Sequence, residues 1–372
     1  MSLRMIVTVL LVPLAAAAAG PASQNPAPDK RIVELLGPIR EAQQVPALAG
    51  AIVTDAGLQA VGAVGVRKAG TDVAVTVDDL WHLGSDTKAM TAALIGRLVE
   101  EGKLKWDTTM ETVFPEFAAL MNPEFGKVTI LHLLSHRAGL PPNIPWGLIP
   151  MTEPIRDQRL RAVKAAVSAK LVAEPGAKFI YSNLGYVVAG AAAERVTDET
   201  WENLLLEKIC RPLGMTAVGF GGVGTPGEFD QPWGHGDDGK PVRENGPDAD
   251  NPPVMGPAGR VHCTVADWAK FVADQLRGAR GEKALLGPDT YKRLQRPEFG
   301  GDYAMGWLAV EREWGGGTVL THAGSNTMNL AVAWLAPLRQ FAVLLVTNQA
   351  GHKAQTACDQ AAGALIKLYT EK

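Results

Sequence analysis

From residue 81 to residue 88 the sequence reads Trp81-His82-Leu83-Gly84-Ser85-Asp86-Thr87-Lys88, and the expected chemistry of the chain follows from it. Gly84 interrupts an extended run, and apolar periodicity predicts a long helix over residues 86–102. Positions i and i+3 of a helix share a face and lie about 4.5 Å apart along its axis. The amine of Lys88 is therefore expected to reach the hydroxyl of Ser85.

This pairing suits nucleophilic catalysis. An alcohol is a weak nucleophile that needs an adjacent base, and a desolvated lysine amine can be that base. A serine at a helix N-terminus also lies near the positive end of the helix dipole, which favours a developing alkoxide. The alternative is an N-cap serine followed by a solvated lysine, and the motif taken alone favours that plainer interpretation.

A second polar motif, Tyr181-Ser182-Asn183, lies where an apolar run meets a predicted helix over residues 184–196. A tyrosine phenol at such a junction relays a proton if the ammonium of Lys88 lowers its pKa. The amide of Asn183 both donates and accepts, which suits it to hold a substrate carbonyl or the lysine. A core tyrosine followed by an N-cap asparagine is the alternative.

A third motif, His322-Ala323-Gly324-Ser325, follows a short predicted strand. Gly324 is expected to let a substrate backbone approach the strand edge closely. The N–H groups of Ser325 and Ser85 form a candidate oxyanion hole with two donors. His322 is a candidate for assisting protonation or for binding an anionic group. The alternative is a strand-end turn that carries a surface histidine.

Taken together, the motifs Ser-x-x-Lys, Tyr-x-Asn and His-x-Gly resemble those of the serine β-lactamase superfamily. The branch that they resemble includes class C β-lactamases, low-molecular-weight D-alanyl-D-alanine carboxypeptidases and related carboxylesterases. The resemblance runs from about residue 29 to the C-terminus. Three further segments carry it: Ile130-Leu131-His132-Leu133-Leu134-Ser135-His136-Arg137-Ala138-Gly139-Leu140, Ala258-Gly259-Arg260-Val261 and Tyr303-Ala304-Met305-Gly306-Trp307.

The resemblance implies an acyl-enzyme mechanism with roles for six residues. Ser85 is the implied nucleophile, and Lys88 and Tyr181 are the implied proton-transfer network. The implied substrate-binding and oxyanion residues are Asn183, Gly324 and Ser325, and His322 joins them as a substrate-binding candidate from its place in the third motif alone.

The third motif departs from the β-lactamase pattern at two positions. His322 stands where a lysine is usual, and Ala323 where a hydroxyl residue is common. A lysine and a threonine there would hold the carboxylate of a penicillin or of a peptide C-terminus, and Ser325 is expected to replace only part of that grip. Losing a charge-assisted hydrogen bond costs roughly 1.5–3 kcal/mol, or about one to two decades in affinity. The departure favours an ester or a neutral amide as substrate.

The pattern of helices and strands predicts an α+β fold of the β-lactamase/transpeptidase type. An antiparallel sheet built from both ends of the chain is flanked by helices, and a mainly helical lobe adjoins it with the active site between them. We assign residues 29–84 and 260–372 to the α/β part and residues 85–259 to the helical and loop part. Strands are predicted over residues 47–54, 59–67, 303–310, 318–322, 330–335 and 341–347. Helices are predicted over residues 29–44, 86–102, 128–136, 155–171, 184–196, 199–209, 264–276 and 354–369.

The N-terminus is typical of an export signal. Residues 1–22 combine Arg4, an apolar run and a series of small residues, as a secretory signal peptide does. A retained membrane anchor is the alternative. We therefore expect a hydrolase unit over residues 23–372, either periplasmic or secreted.

Composition and minor motifs exclude several classes. A net charge of −3 without a basic run gives no support for a nucleic-acid partner. Three cysteines, none in a C-x-x-C, fit neither a disulfide scaffold nor a thiolate zinc site. The glycine pattern over residues 219–224 is not followed by a helix, so a nucleotide site is not expected.

Two minor sets of candidate residues remain. For His132 and His136, capping or packing roles are favoured over metal binding. Three tryptophans are candidates for an apolar acyl pocket or for ordinary packing: Trp146, Trp233 and Trp314.

We therefore expect an exported serine hydrolase without metal or cofactor. Its expected partner is a small-molecule ester, amide or β-lactam, with no nucleic acid and no membrane once the signal is removed. Carboxylesterase activity is the first choice, and class C-type β-lactamase or D-Ala-D-Ala carboxypeptidase activity is the alternative. A penicillin-binding sensor without turnover, or an inactive scaffold, is the alternative of another class. The sequence leaves open the substrate, the oligomeric state and the role of the Gly/Pro-rich residues 219–259.

Overall fold

The structure, a computed structural model, describes residues 26–371, so the signal peptide predicted over residues 1–22 lies outside the described residues. The strands are β1 Ala47–Thr54, β2 Gly57–Gly65, β3 Leu80–His82, β4 Val218–Phe220, β5 Val261–Thr264, β6 Leu308–Arg312, β7 Gly317–Ser325, β8 Leu330–Ala336 and β9 Phe341–Thr347. The helices are α1 Lys30–Gln43, α2 Thr87–Glu100, α3 Met110–Val113, α4 Pro123–Gly126, α5 Ile130–Leu134, α6 Ile155–Ser168, α7 Asn183–Thr197, α8 Trp201–Leu205, α9 Gly256–Gly259, α10 Val265–Ala279, α11 Pro288–Leu294 and α12 Gly351–Thr370.

The main sheet joins the two ends of the chain. Its strand order is β2-β1-β9-β8-β7-β6, and every neighbouring pair is antiparallel. Strand β1 lies between β2 and β9, with Thr54 opposite Phe341. The central strands β1 and β9 are almost entirely apolar and buried along their length, as strands covered on both faces must be. The predicted α+β architecture is confirmed.

Successive side chains along the strands point to opposite faces of the sheet, and each face has its own apolar core. Val343 and Leu345 of β9 pack with Leu36 of α1 and Leu365 of α12 on one face of the sheet. Leu344 and the other intervening side chains belong to a larger core that contains α10 and the middle helices. A pleated strand imposes this period of two on its side chains. The sheet therefore packs against the terminal helices on one face and against the rest of the molecule on the other.

The loop before β6 corrects one predicted strand. Residues 303–310 were expected to be extended, but β6 begins only at Leu308, and a turn precedes it. Gly306 in this turn has a φ of +81°, and a Cβ there would lie 2.5 Å from the Cα of Ala89. The turn therefore lies directly against the backbone of α2, a contact that an extended strand could not make.

Several helix ends also differ from the prediction, among them the C-terminal ends of α5 and α6. Helix α5 ends at Leu134, because His136 takes a positive φ of 57°, a left-handed conformation that ends the helix. Helix α6 ends at Ser168, three residues before the predicted end at Leu171.

The Gly/Pro-rich residues 219–259 begin in β4 and end in α9, and residues 221–252 between them form irregular chain. A Cβ at Gly222 would lie 2.2 Å from the carbonyl oxygen of Gly246, so the segment folds closely upon itself. The three cysteines, Cys210, Cys263 and Cys358, are buried free thiols. Among residues 26–371, no helix has the length and apolar character needed to cross a bilayer.

Candidate active site

Ser85 lies in a short 3-10 turn between β3 and α2, and strand β7 presses directly against that turn. Gly84 has a φ of +50°, and a Cβ on it would lie 2.4 Å from the nitrogen of Ser325. A Cβ on Gly324 would lie 2.0 Å from the carbonyl oxygen of Leu83. The missing side chain of Gly324 therefore makes room for the turn that carries Ser85, a role that the sequence did not reveal.

The amine of Lys88 lies at the centre of the site. Its Nζ is 3.0 Å from Ser85 Oγ, 2.8 Å from Asn183 Oδ1 and 2.6 Å from the carbonyl oxygen of Ala258. Tyr181 donates its phenol hydrogen to Ser85 Oγ at 2.8 Å. The first two predicted motifs are thus brought into direct contact, although about a hundred residues separate them.

The orientation of the Asn183 amide is fixed by a neighbour that sequence reasoning did not identify. Asn183 Nδ2 donates to Asn143 Oδ1 at 3.0 Å, which leaves Asn183 Oδ1 directed at Lys88. Trp146 Nε1 donates to the same Asn143 oxygen at 3.1 Å. Trp146 is therefore connected to the site through one asparagine.

The other two candidate tryptophans are part of the packing. Trp233 is buried, and its Nε1 donates to the carbonyl oxygen of Glu228. Trp314 contacts Trp334 and Phe341 in the core beside α12. Neither contact places these two rings in the site.

Burial changes the acidity of Lys88. The side chain has no exposed surface, and the loss of water lowers its pKa from 10.5 to about 7, against the opposing effect of Asp86. A neutral amine has two N–H groups and one lone pair. Asn183 Oδ1 and the Ala258 carbonyl accept the two N–H groups, which leaves the lone pair for Ser85 Oγ. The arrangement can therefore remove the hydroxyl proton of Ser85.

The acidity of Tyr181 runs opposite to the expectation. Burial raises its pKa to about 12, and the hydrogen bond to Ser85 offsets only part of this effect. The condition set for the proton relay, a pKa lowered by the Lys88 ammonium, is therefore not met. At neutral pH the phenol stays protonated, so it acts as a hydrogen-bond donor to Ser85 Oγ and can pass on a proton.

His322 is buried instead of facing substrate. Only 5% of the residue is exposed, and burial lowers its pKa to about 3, with the charge of Lys88 acting in the same direction. The imidazole is therefore neutral at physiological pH. This corrects the expectation that His322 binds an anionic group, and it also excludes the surface histidine given as the alternative.

Asp86 is a buried acid that sequence reasoning did not single out. Its Oδ1 lies 3.7 Å from Nδ1 of His322. Burial raises the pKa of Asp86 well above its usual range, against the opposing charge of Lys88. The burial of Asp86 results from the docking of β7, which the local sequence does not reveal.

A histidine and a tyrosine support the second motif from behind. His136 Nδ1 accepts the N–H of Ser182 at 3.0 Å, and its Nε2 lies 3.1 Å from the hydroxyl of Tyr303. His132 instead caps α5, since its Nδ1 accepts the N–H of Thr129. The expected capping and packing roles of the two histidines are confirmed.

The two candidate oxyanion donors lie side by side. The close approach at Gly84 and Gly324 places the nitrogens of Ser85 and Ser325 at the contact between the turn and β7. The pairing of β6 with β7 ends at Thr321, so β7 continues past β6 from His322 onwards. Such a pair of backbone donors can hold the negative oxygen of a tetrahedral intermediate.

Comparison with known proteins agrees with this geometry. The chain belongs to the Beta-lactamase family, whose family model matches residues 32–365. The fold and the resemblance predicted from the sequence are thereby confirmed, and the chain belongs to a family of serine hydrolases.

Individual relatives match over different lengths. Penicillin-binding protein 4 of Amycolatopsis lactamdurans is 31% identical over 293 residues, which cover 76% of this chain and 73% of that protein. The D-alanyl-D-alanine-carboxypeptidase/endopeptidase AmpH of Escherichia coli (strain K12) is 28% identical over 167 residues, 44% of this chain and 43% of that protein. The octameric penicillin-binding protein homologue from Pyrococcus abyssi superposes with a TM-score of 0.72 at 23% identity, covering 92% of this chain and 77% of that one. This last likeness establishes the fold alone.

Proposed function

We propose that this chain is an exported serine hydrolase that cleaves an ester, or a neutral amide, through an acyl-enzyme on Ser85. The observation that carries the proposal is the amine of Lys88, which is buried, has a pKa of about 7 and lies 3.0 Å from the Ser85 hydroxyl. An amine with that pKa is partly neutral at physiological pH and is therefore available as a base.

In the first step, neutral Lys88 takes the hydroxyl proton of Ser85 while Oγ attacks the substrate carbonyl. The carbonyl oxygen becomes an oxyanion and is held by the N–H groups of Ser85 and Ser325. The Lys88 ammonium then returns the proton through the Tyr181 phenol to the leaving oxygen or nitrogen. The bond to the leaving group breaks and the acyl-enzyme remains.

In the second step, a water molecule attacks the acyl-enzyme and its proton passes to the same amine. The tetrahedral intermediate collapses, Ser85 Oγ leaves and regains a proton, and the carboxylic acid is released. Both steps use the same base and the same oxyanion donors, as microscopic reversibility requires. No cofactor is needed for either step.

The neutral state of His322 supports an ester as the first choice. A neutral imidazole carries no positive charge, so it cannot form the ion pair with which a lysine would bind a substrate carboxylate. Ala323, the exposed neighbour, adds no hydroxyl. A substrate without a carboxylate loses nothing by these two changes, whereas a penicillin or a D-alanyl peptide does.

The names of two relatives favour a second candidate. One relative is described as a penicillin-binding protein and another as a D-alanyl-D-alanine-carboxypeptidase/endopeptidase. A β-lactamase or D-Ala-D-Ala carboxypeptidase activity of this chain is therefore the alternative.

Parallel assays separate these activities. Purified protein is given p-nitrophenyl butyrate, nitrocefin and a D-Ala-D-Ala peptide, each up to saturation, with Ser85→Ala as the matched control. We expect the ester to show the highest kcat/KM and Ser85→Ala to show none of the activity. Fast turnover of nitrocefin alone would contradict the ester preference. A stoichiometric burst without turnover would indicate a sensor, and no reaction at all would indicate a scaffold.

Export is part of the proposal and rests on residues 1–22 alone. N-terminal sequencing of the protein from its native host is expected to begin shortly after Ala22. An intact Met1 on the mature protein would contradict cleavage of a signal peptide.

A further inference from the structure

A buried carboxylate in the Gly/Pro-rich segment has no part in the mechanism above. The side chain of Asp250 has no exposed surface, and it accepts hydrogen bonds from three different side chains. Its Oδ2 lies 2.9 Å from His82 Nε2 and 3.1 Å from Arg260 Nε, and its Oδ1 lies 2.9 Å from Asn326 Nδ2. Burial alone would raise the pKa of Asp250, yet these contacts hold it at about 2, so the group is an anion.

The first of these contacts leads directly to the nucleophile. His82 ends β3, and its Nδ1 accepts the N–H of Gly84 at 3.0 Å. Because Nδ1 is an acceptor, the ring hydrogen is on Nε2 and is donated to Asp250. The carboxylate therefore fixes the ring that holds the peptide just before Ser85.

The other two contacts lead to the remaining parts of the site. Arg260 lies two residues after Ala258, whose carbonyl oxygen accepts the lysine amine. Asn326 follows Ser325, and its Oδ1 accepts the N–H groups of the next turn at 3.2 and 2.9 Å. One carboxylate thus connects the neighbours of the nucleophile, of a lysine partner and of an oxyanion donor.

We infer that Asp250 is a positioning residue, which holds the turn of Ser85, the carbonyl of Ala258 and the N–H of Ser325 in their mutual geometry. Its effect on catalysis rests on the proposed function, but its effect on the backbone does not. The inference also gives the Gly/Pro-rich segment a role, because it delivers a charged group behind the site from a distant part of the chain.

Asp250→Asn is the most direct variant, because it keeps the shape and removes the charge. All three partners of Asp250 are donors, so an amide nitrogen must face a donor in either orientation of the asparagine. The matched control is Asp267→Asn. Asp267 is also a buried carboxylate with three donors, Thr216 N, Ala217 N and Lys270 Nζ. It follows the Thr264 end of β5, which pairs with Leu80 and not with His82.

The test has two readouts, made on the full mature chain. Amide hydrogen exchange is followed by mass spectrometry in peptides that cover residues 82–88 and 322–329. The rate of acyl-enzyme formation and KM are measured with p-nitrophenyl butyrate. We expect Asp250→Asn to exchange faster in both segments and to lose about 10- to 100-fold in acylation rate with KM changed less than about threefold, since small misplacements of reacting groups cost this much.

The control decides between positioning and general destabilisation. Asp267→Asn should leave both peptides and the acylation rate unchanged. Unchanged exchange in Asp250→Asn, faster exchange with an unchanged acylation rate, or the same losses in Asp267→Asn would each overturn the inference. If wild-type protein is not acylated at Ser85, the proposed function fails, and the exchange rates alone still decide whether Asp250 holds the backbone.

Should Asp250→Asn not fold, Asn326→Ala provides the test, because it removes one donor and leaves the carboxylate with two. We expect faster exchange confined to residues 322–329 and a smaller loss of acylation rate, about three- to tenfold. Unchanged exchange in that segment would overturn the inference.

Discussion

The two walls of the candidate active site are built on different principles. On one wall the side chains of Lys88 and Tyr181 each lie within 3.0 Å of Ser85 Oγ. On the other wall strand β7 turns His322 inward and brings its backbone against the Ser85 turn through Gly324. On the first wall, function depends on which side chain stands at each position. On the second it depends on how closely two backbones approach.

Among the variants of the first wall, replacing the base Lys88 is expected to have the largest effect on activity. Lys88→Met keeps the approximate length and the apolar stem but has no basic nitrogen. Because general-base catalysis contributes roughly 10²–10⁴-fold, we expect kcat for p-nitrophenyl butyrate to fall by that factor. Lys270→Met, which removes a partly exposed lysine bonded to a carboxylate and a carbonyl, is the control and should keep its activity. Equal activity in the two variants would mean that the function of the first wall does not depend on the side chain of Lys88.

Gly324→Ala tests the second wall. The added methyl group would lie 2.0 Å from the carbonyl oxygen of Leu83 and 2.6 Å from the nitrogen of Ser85, so β7 and the turn must separate. Loss of an oxyanion donor costs about 10²–10³-fold in kcat, and we expect a loss of this order. Gly363→Ala, in open space on α12, should leave the activity unchanged. A folded Gly324→Ala protein with nearly full activity would show that the close approach is not needed.

The dependence of kcat/KM on pH tests the first wall further, because it reports the protonation of Lys88. Lys88 is neutral above a pKa of about 7 and protonated below it. The neutral amine is the base, so kcat/KM should rise with pH and level off above that value, falling about tenfold for each unit below it. Steady-state kinetics from pH 5 to 9 with a pH-insensitive ester would show this. A profile that is flat across neutral pH would contradict the assignment of the base.

The smallest expected effect concerns the exposed side chain of the second wall. Ala323→Thr adds a hydroxyl that can bond a substrate carboxylate. Because residue 323 is exposed and water competes for the bond, we expect only the net contribution of an ordinary hydrogen bond, about 0.5–1.5 kcal/mol, or about two- to thirteenfold. We expect kcat/KM for nitrocefin to rise by such a factor, while that for p-nitrophenyl butyrate stays constant. An equal rise for both substrates would mean that the hydroxyl acts on the reaction centre instead.

The same contrast explains what the sequence could predict. The helical spacing of Ser85 and Lys88 and the junction at Tyr181 depend on local patterns, and the structure brings these residues together as expected. The burial of His322 and the fit of Gly324 against Leu83 depend on how distant segments dock, and no local pattern encodes that. The acidity of Tyr181 was misjudged for the same reason, because burial of the phenol raises its pKa and the hydrogen bond to Ser85 offsets only part of that effect.

Asp250 shows this limit most clearly. Its partners His82 and Asn326 are 168 and 76 residues away in the chain, and Asp250 lies in a segment without regular secondary structure. A buried carboxylate needs several donors to remain charged, but a single sequence does not show which donors these are. Residues of this kind become visible only when the fold is known.

Intact-mass spectrometry of the protein during turnover is the most direct measurement. The protein is quenched with acid in the presence of a slowly hydrolysed ester or β-lactam, and the adduct is located by peptide mapping. The mechanism predicts one acyl group per chain, attached to Ser85, and none in Ser85→Ala. An adduct on another residue, or full activity in Ser85→Ala, would contradict it.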